Sequence, residues 1–126
     1  MLAKAKAKYV RMSARKARLV GGLIRNKNLE EAGFILDNTN KRACGPIKKV
    51  ILSAFANANQ TRTEKLLMTD VYISGIQIDG GPMFRRYRAA TMGRATPIRH
   101  RTSHICVQLD EVIKEKQTDK KEAGSR

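Results

Sequence analysis

The chain is 126 residues long, with 26 Lys and Arg against 11 Asp and Glu and a formal charge of +15. That length holds one small domain, and with 5% aromatic residues and no Trp its core must come mainly from Leu, Ile, Val and Ala. Cys44 and Cys106 are too few for a disulfide scaffold and point to reduced thiols; neither a secretory h-region nor a membrane-length apolar run occurs, which gives the expectation of a soluble intracellular protein.

Residues 3–10 alternate Ala and Lys ahead of Tyr9-Val10, a period-two pattern that predicts an edge strand with its lysines outward. Ser13 stands where it can cap a helix whose apolar positions Leu19, Val20, Leu23 and Ile24 recur at helical spacing. Gly21-Gly22 weakens that helix or lets another segment approach closely. Asn28 followed by Glu31 reads as a capping-box variant opening a short second helix through Leu29, Ala32 and Leu36, ending near Asp37-Asn38. A third helix carries Ile47, Val50, Ile51, Ala54 and Ala58 on one face, and Gly45-Pro46 demands either a start near Pro46 or a start near Lys41 with a kink.

Period two resumes over 68–79, placing Tyr72, Ser74, Ile76 and Ile78 on one face and Val71 and Ile73 on the other. A matching strand is predicted over 97–109, with Ile105, Val107 and Leu109 on one face and the stretch Arg99 to Ser103 too polar for a core. The segment between them begins Gly80-Gly81-Pro82 and is about 17 residues, a length at which structureless loops are uncommon in compact domains. With its strands it makes one long hairpin over about 70–109, each arm up to roughly 65 Å at about 3.3 Å per residue. Such an arm must project beyond the globule, and being so polar it is expected to order only against a partner. Residues 111–126 are of mixed charge and are expected to form a frayed or disordered tail, leaving 1–110 as a single domain.

The charge is unevenly spread. Residues 1–29 hold nine bases (Lys4, Lys6, Lys8, Arg11, Arg15, Lys16, Arg18, Arg25 and Lys27) and no acid, and residues 80–109 hold six arginines (Arg85, Arg86, Arg88, Arg94, Arg99 and Arg101) and no acid. The remaining segments, 30–79 and 110–126, each sum to zero. A merely solvated face mixes both signs, whereas two long carboxylate-free stretches form a footprint for phosphate. The second stretch uses Arg alone, whose planar fork binds phosphate bidentately and stacks on bases, as folded RNA requires.

Other chemistry is weakly supported. His100 and His104 on one strand lie about 13 Å apart, too far to share a zinc ion, so no metal is expected and the two histidines read as further RNA contacts. Gly80-Gly81-Pro82 fits no nucleotide-binding loop, and no paired carboxylates or nucleophile stand out, so neither a cofactor nor enzymatic activity is expected. Met83, Phe84, Tyr87 and Met92 among the arginines form either a minicore at the hairpin tip or soft, flat surfaces for unpaired bases.

The stretch from Gly81-Pro82 to Leu109, and within it Met92-Gly93-Arg94-Ala95 followed by Ile98-Arg99-His100-Arg101-Thr102-Ser103-His104-Ile105, closely resembles the bacterial-type protein twenty-two family of the large ribosomal subunit. Ser13 to Val20, and Lys48-Lys49-Val50 to Ala58-Asn59, extend the similarity over about residues 3–109. The resemblance implies an α+β fold: three helices packed on an antiparallel sheet of about three strands, with a long protruding β-hairpin. It implies a monomer within the ribosome, a cytoplasmic bacterial one or else an organellar one, that binds large-subunit RNA and neighbouring ribosomal proteins and supports assembly. The hairpin would thread through RNA, its tip, Met83, Phe84, Arg85, Arg86, Tyr87, Arg88, Ala89, Ala90, Thr91, Met92, Gly93, Arg94 and Ala95, forming part of the peptide exit tunnel wall near nascent peptide and macrolide antibiotics. The apex departs from the family's usual Pro-Arg-Ala and Lys or Arg, having Ala89, Ala90, Thr91 and Met92 there. The runner-up is an architectural DNA-binding protein that uses a basic β-arm, which would need a dimer.

Overall fold

The structure, a computed structural model, describes residues 1–112. Strand β1 (Ala3–Val10) is followed by helices α1 (Ala14–Ile24), α2 (Leu29–Asn38) and α3 (Cys44–Gln60), then by strands β2 (Val71–Gly80), β3 (Phe84–Ala89), β4 (Ala95–His100) and β5 (Ser103–Glu111). The sheet has the antiparallel order β1-β5-β2, and β3 and β4 form a separate two-stranded antiparallel ribbon. This is the expected α+β arrangement, with β1 on an edge. The tail expected over 111–126 lies outside the described residues except for its first two, of which Glu111 ends β5 opposite Val71 and the Val112 N–H donates to the Asp70 carbonyl at 2.8 Å.

Helix α3 packs over β1 and β5 and α1 over β2, so the helices cover one sheet face. Against them Ile73, Ile105, Val107 and Leu109 are fully buried, and Ala3 and Ala5 are buried while Lys4 and Lys6 between them are exposed. Small alanines let α3 lie close to the edge strand. Cys44 and Cys106 are buried free thiols.

Local expectations change on the buried face of α1 and at the helix caps. In α1 the buried residues are Ala17, Val20, Gly21 and Ile24, whereas Leu19 and Leu23 are 71% and 50% exposed. The helix turns its small residues to the sheet because a Cβ on Gly21 would already lie 3.2 Å from the Ile78 Cδ1 atom; a larger residue at that contact would push the helix away. The close approach anticipated at the glycine pair is therefore Gly21's. Ser13 and Asn28 do occupy N-cap positions, with extended backbones, but neither side chain makes a capping bond. Glu31 pairs instead with Lys27 at 2.9 Å. Helix α3 starts at Cys44, which puts Pro46 in its first turn, where no helical hydrogen bond is lost and no kink results.

The largest change is in β2. Its register on β5 runs Ile73 to Leu109 and then Gly75 to Gln108, leaving Ser74 as an extra residue. This bulge inverts the alternation, so Val71, Ile73, Ile76 and Ile78 are all buried, not split between two faces. The Ser74 hydroxyl donates to the Gln108 carbonyl at 3.2 Å, and Gly75 leaves room for the Gln108 side chain, whose Oε1 would sit 3.3 Å from a Cβ there.

The hairpin is also divided. Its inner half, β2 with β5, is core sheet, and only β3 with β4 extends beyond it, about 20 Å at roughly 3.3 Å per residue. Gly81 to Met83 interrupt the outgoing arm and Arg101 and Thr102 the returning one, so the strand expected over 97–109 is two strands. Thr102 and Ser103 are buried, at 2% and 0% exposure, rather than solvated. The Thr102 hydroxyl is satisfied by donating to the Pro82 carbonyl at 2.6 Å, and Ser103 lies between Val10 and Gly80 of the two flanking strands.

Candidate nucleic-acid interface

The two acid-free segments meet at the base of the ribbon. A hollow of roughly 590 Å³ there is lined by Arg11, Met12, Ser13, Lys16, Arg42, Arg99, His100 and Arg101. A second, of roughly 560 Å³, joins Arg15 and Arg18 to Gly80, Gly81, Met83 and Arg101. Ser13, the N-cap of α1, borders both hollows. The first turn of a helix presents unpaired N–H groups and a partial positive charge that favours acids. Here that turn holds no acid, and Arg15 and Lys16 lie in it. Cations stacked on the positive end of a helix repel until an anion joins them, so the local chemistry favours an anion.

The ribbon shows the same pattern. Cross-strand register sets Arg85 directly opposite Arg99, a like-charge pair that disfavours the ribbon on its own. Alternation puts Arg86 and Arg88 on the other face, beside Ile98 and Thr96. Every β3 residue is exposed. Met83, Phe84, Tyr87 and Met92 are 41%, 49%, 69% and 95% exposed, so they do not gather into a minicore. Phe84 instead lies 5.5 Å beneath the Arg11 guanidinium, which ties β3 to the end of β1. At the apex Ala89 pairs with Ala95, the Ala90 N–H donates to the Arg94 carbonyl at 2.8 Å, and Met92 and Gly93 both take left-handed backbones, at φ 60° and 69°. Backbone bonds close this turn without proline.

The ribbon base is a built junction. Tyr9, left-handed at φ 57° in a β1 bulge, donates its N–H to His104 Nδ1 at 3.1 Å and meets that ring edge-on at 5.0 Å. The Gly81 N–H donates to the Thr102 carbonyl at 2.9 Å. A Cβ on Gly81 would stand 2.5 Å from Thr102 Oγ1 and 3.2 Å from His104 Cε1. Gly81→Ala is therefore expected to destabilise the fold by about 1–3 kcal/mol through overpacking, read from the urea midpoint. A double variant with Thr102→Ala should cost less than the two singles added.

The nominated residues thus divide. Arg11, Lys16, Arg99, His100 and Arg101 come together, and Lys4, Lys6 and Lys8 alternate with the inward alanines of β1. Arg18 Nε and Arg25 donate to the Ile78 and Ile76 carbonyls at 3.0 and 3.1 Å, closing part of the open β2 edge. Lys27 is held by Glu31, and His104 is engaged by Tyr9; neither joins the hollows. His100 and His104 lie on different strands, and among the described residues no three potential ligands gather for a metal. Arg42 escaped the reading because its segment sums to zero, and only folding carries it beside Arg99. Among the described residues, no ion pair involves any base of the two hollows.

Comparison with known proteins decides the family. The family model for ribosomal protein L22p/L17e matches residues 5–110. The chain belongs to the ribosomal protein L22p/L17e family. Among L22p/L17e relatives, the large ribosomal subunit protein uL22 of Halothermothrix orenii is 49% identical over 111 residues, covering 88% of this chain and 96% of that protein. Those of Syntrophus aciditrophicus and Thermus thermophilus are each 48% identical, over 88% of this chain and 99% and 96% of theirs. L22p/L17e proteins are structural ribosomal components and not enzymes. No helix among the described residues is long and apolar enough to cross a membrane.

Proposed function

We propose that the chain is a monomeric structural constituent of the large ribosomal subunit that binds its RNA through the ribbon and the two hollows at the ribbon base. The observation that carries this is the convergence of Arg11, Lys16, Arg42, Arg99 and Arg101 with no acid among them. Cations on both ribbon faces suit a strand pair threaded between RNA elements better than one lying on a flat surface. The globule docks through its hollows, and the ribbon becomes ordered as phosphate relieves the Arg85–Arg99 repulsion. The exposed apex from Met83 to Ala95 contributes to the exit tunnel wall, where its soft side chains meet nascent peptide or macrolides, and the docked globule supports assembly beside neighbouring proteins. Membership of a ribosomal family favours this reading over a DNA-clamping arm.

Replacing Arg99 and Arg101 together by Ala is expected to weaken binding to a large-subunit RNA fragment and to reduce the slope of log K against log salt by about one to two. Filter binding across a salt series measures it. An unchanged slope would remove both residues from the phosphate contact.

A further inference from the structure

One face takes no part in the RNA scheme. Between α2 and α3 runs a groove of roughly 340 Å³, floored by Leu29, Leu36 and Ile51 and walled by Phe34, Leu52, Phe55 and Met68. Phe34 is 72% exposed, and Leu52 and Met68 are 47% and 44% exposed. Apolar side chains this open and this close together mark an interaction surface.

Two further observations say what the surface receives. The groove lining holds the acids Glu30 and Asp37, and its single cation, Lys48, is already bonded to Asp37. In a chain of charge +15 this is a local excess of negative charge, unsuited to RNA and complementary to a cationic segment. Gly33, in the middle of α2, also lines the groove, and a Cβ there would meet no atom within 4 Å. Glycine inside a helix is unfavourable, and here no neighbour in this chain requires it. Apart from Met68, in a 3-10 turn over Met68–Asp70, the lining lies on two helices and includes no strand, which suits a helix laid by its apolar face and not an added strand.

We propose that the α2–α3 groove docks an amphipathic helix of a second protein, its apolar stripe against Phe34, Leu52 and Met68 and its Lys or Arg residues facing Glu30, the carboxylate that Lys48 leaves uncompensated. Gly33 leaves the opening that the incoming helix fills. The site is separate from the ribbon and the two hollows and adds a protein partner of defined chemistry to the RNA-binding reading.

The test places the photocrosslinker p-benzoylphenylalanine at position 34 in the full chain, assembled into large ribosomal subunits, and sequences the crosslinked peptides. The expected product is one helical segment of another protein with Lys or Arg flanking an apolar stripe. Gly33→Leu should reduce its yield at least tenfold while subunit incorporation stays normal, and Gly33→Ala should crosslink at least half as well as the parent. Should Gly33→Leu fail to incorporate, Leu52→Ser, which removes an exposed groove wall, should still lower the yield several-fold. Crosslinks to RNA, to a second copy of this chain or to an acidic segment would overturn the proposal, as would no crosslink or yields indifferent to both variants. None of these outcomes bears on the salt dependence of RNA binding by the isolated chain, so the two readings fail separately.

Discussion

Substituting Arg11, Lys16 and Arg42 together by Ala is expected to lower affinity for large-subunit RNA about a hundredfold near 0.15 M salt and to reduce the log–log salt slope by about two to three. Each cation that neutralises a phosphate releases a condensed counterion, so each loss removes close to one unit of slope. The three side chains come from the end of β1, the first turn of α1 and the turn before α3, yet they line one hollow with Arg99 and Arg101. No carboxylate there binds them internally, so nothing in the protein replaces the lost RNA contact. Arg62→Ala is the control, since that guanidinium is bonded to Glu111 at 2.6 Å, and the slope should stay within error. A triple variant with the parental slope would show that phosphate does not enter the hollow.

Inserting one alanine between Gly75 and Ile76 should lower the free energy of unfolding by about 3–6 kcal/mol. The insertion shifts the alternation of β2 beyond the Ser74 bulge by one residue. With Val71 and Ile73 kept inward, Ile76 and Ile78 would turn to the solvent face, and each isoleucine loses about 1.5–3 kcal/mol of burial. Against a typical total of about 5–15 kcal/mol that is enough to unfold a large share of the molecules. Urea denaturation followed by circular dichroism measures it, and an unshifted midpoint would mean that β2 absorbs an added residue without turning Ile76 and Ile78 outward. Ser74→Ala is the comparison: it keeps the residue count and removes only the hydroxyl bond to Gln108, so its effect should be about 1 kcal/mol.

Much of this molecule is legible in its residue order because the signals are local. The alanine–lysine alternation of β1, the one-faced run Ile47, Val50, Ile51, Ala54 and Ala58 of α3, and the inward Ile105, Val107 and Leu109 of β5 each need only one element's period to be read. The misreadings share a different cause. Leu19 and Leu23 look like core by hydropathy, but the surface of α1 that faces the sheet is chosen by how near β2 can come, and Gly21 permits the closest approach. The β2 alternation is correct on either side of Ser74 and wrong across it, because a bulge is a relation between two strands and leaves no mark on one.

The basic interface divides along the same line. Two stretches without a carboxylate, and arginine as the only charged residue type in the second, depend on composition alone, and so does the expectation of a polyanionic partner. Folding added which cations act together: it brought Arg42 in from a neutral segment, joined Lys27 to Glu31, engaged His104 with Tyr9, and opposed Arg85 to Arg99. Net charge is a sum over residues and needs no coordinates. Coulomb energy falls with separation, and separations between residues far apart along the chain exist only once the strands have paired and the helices have packed.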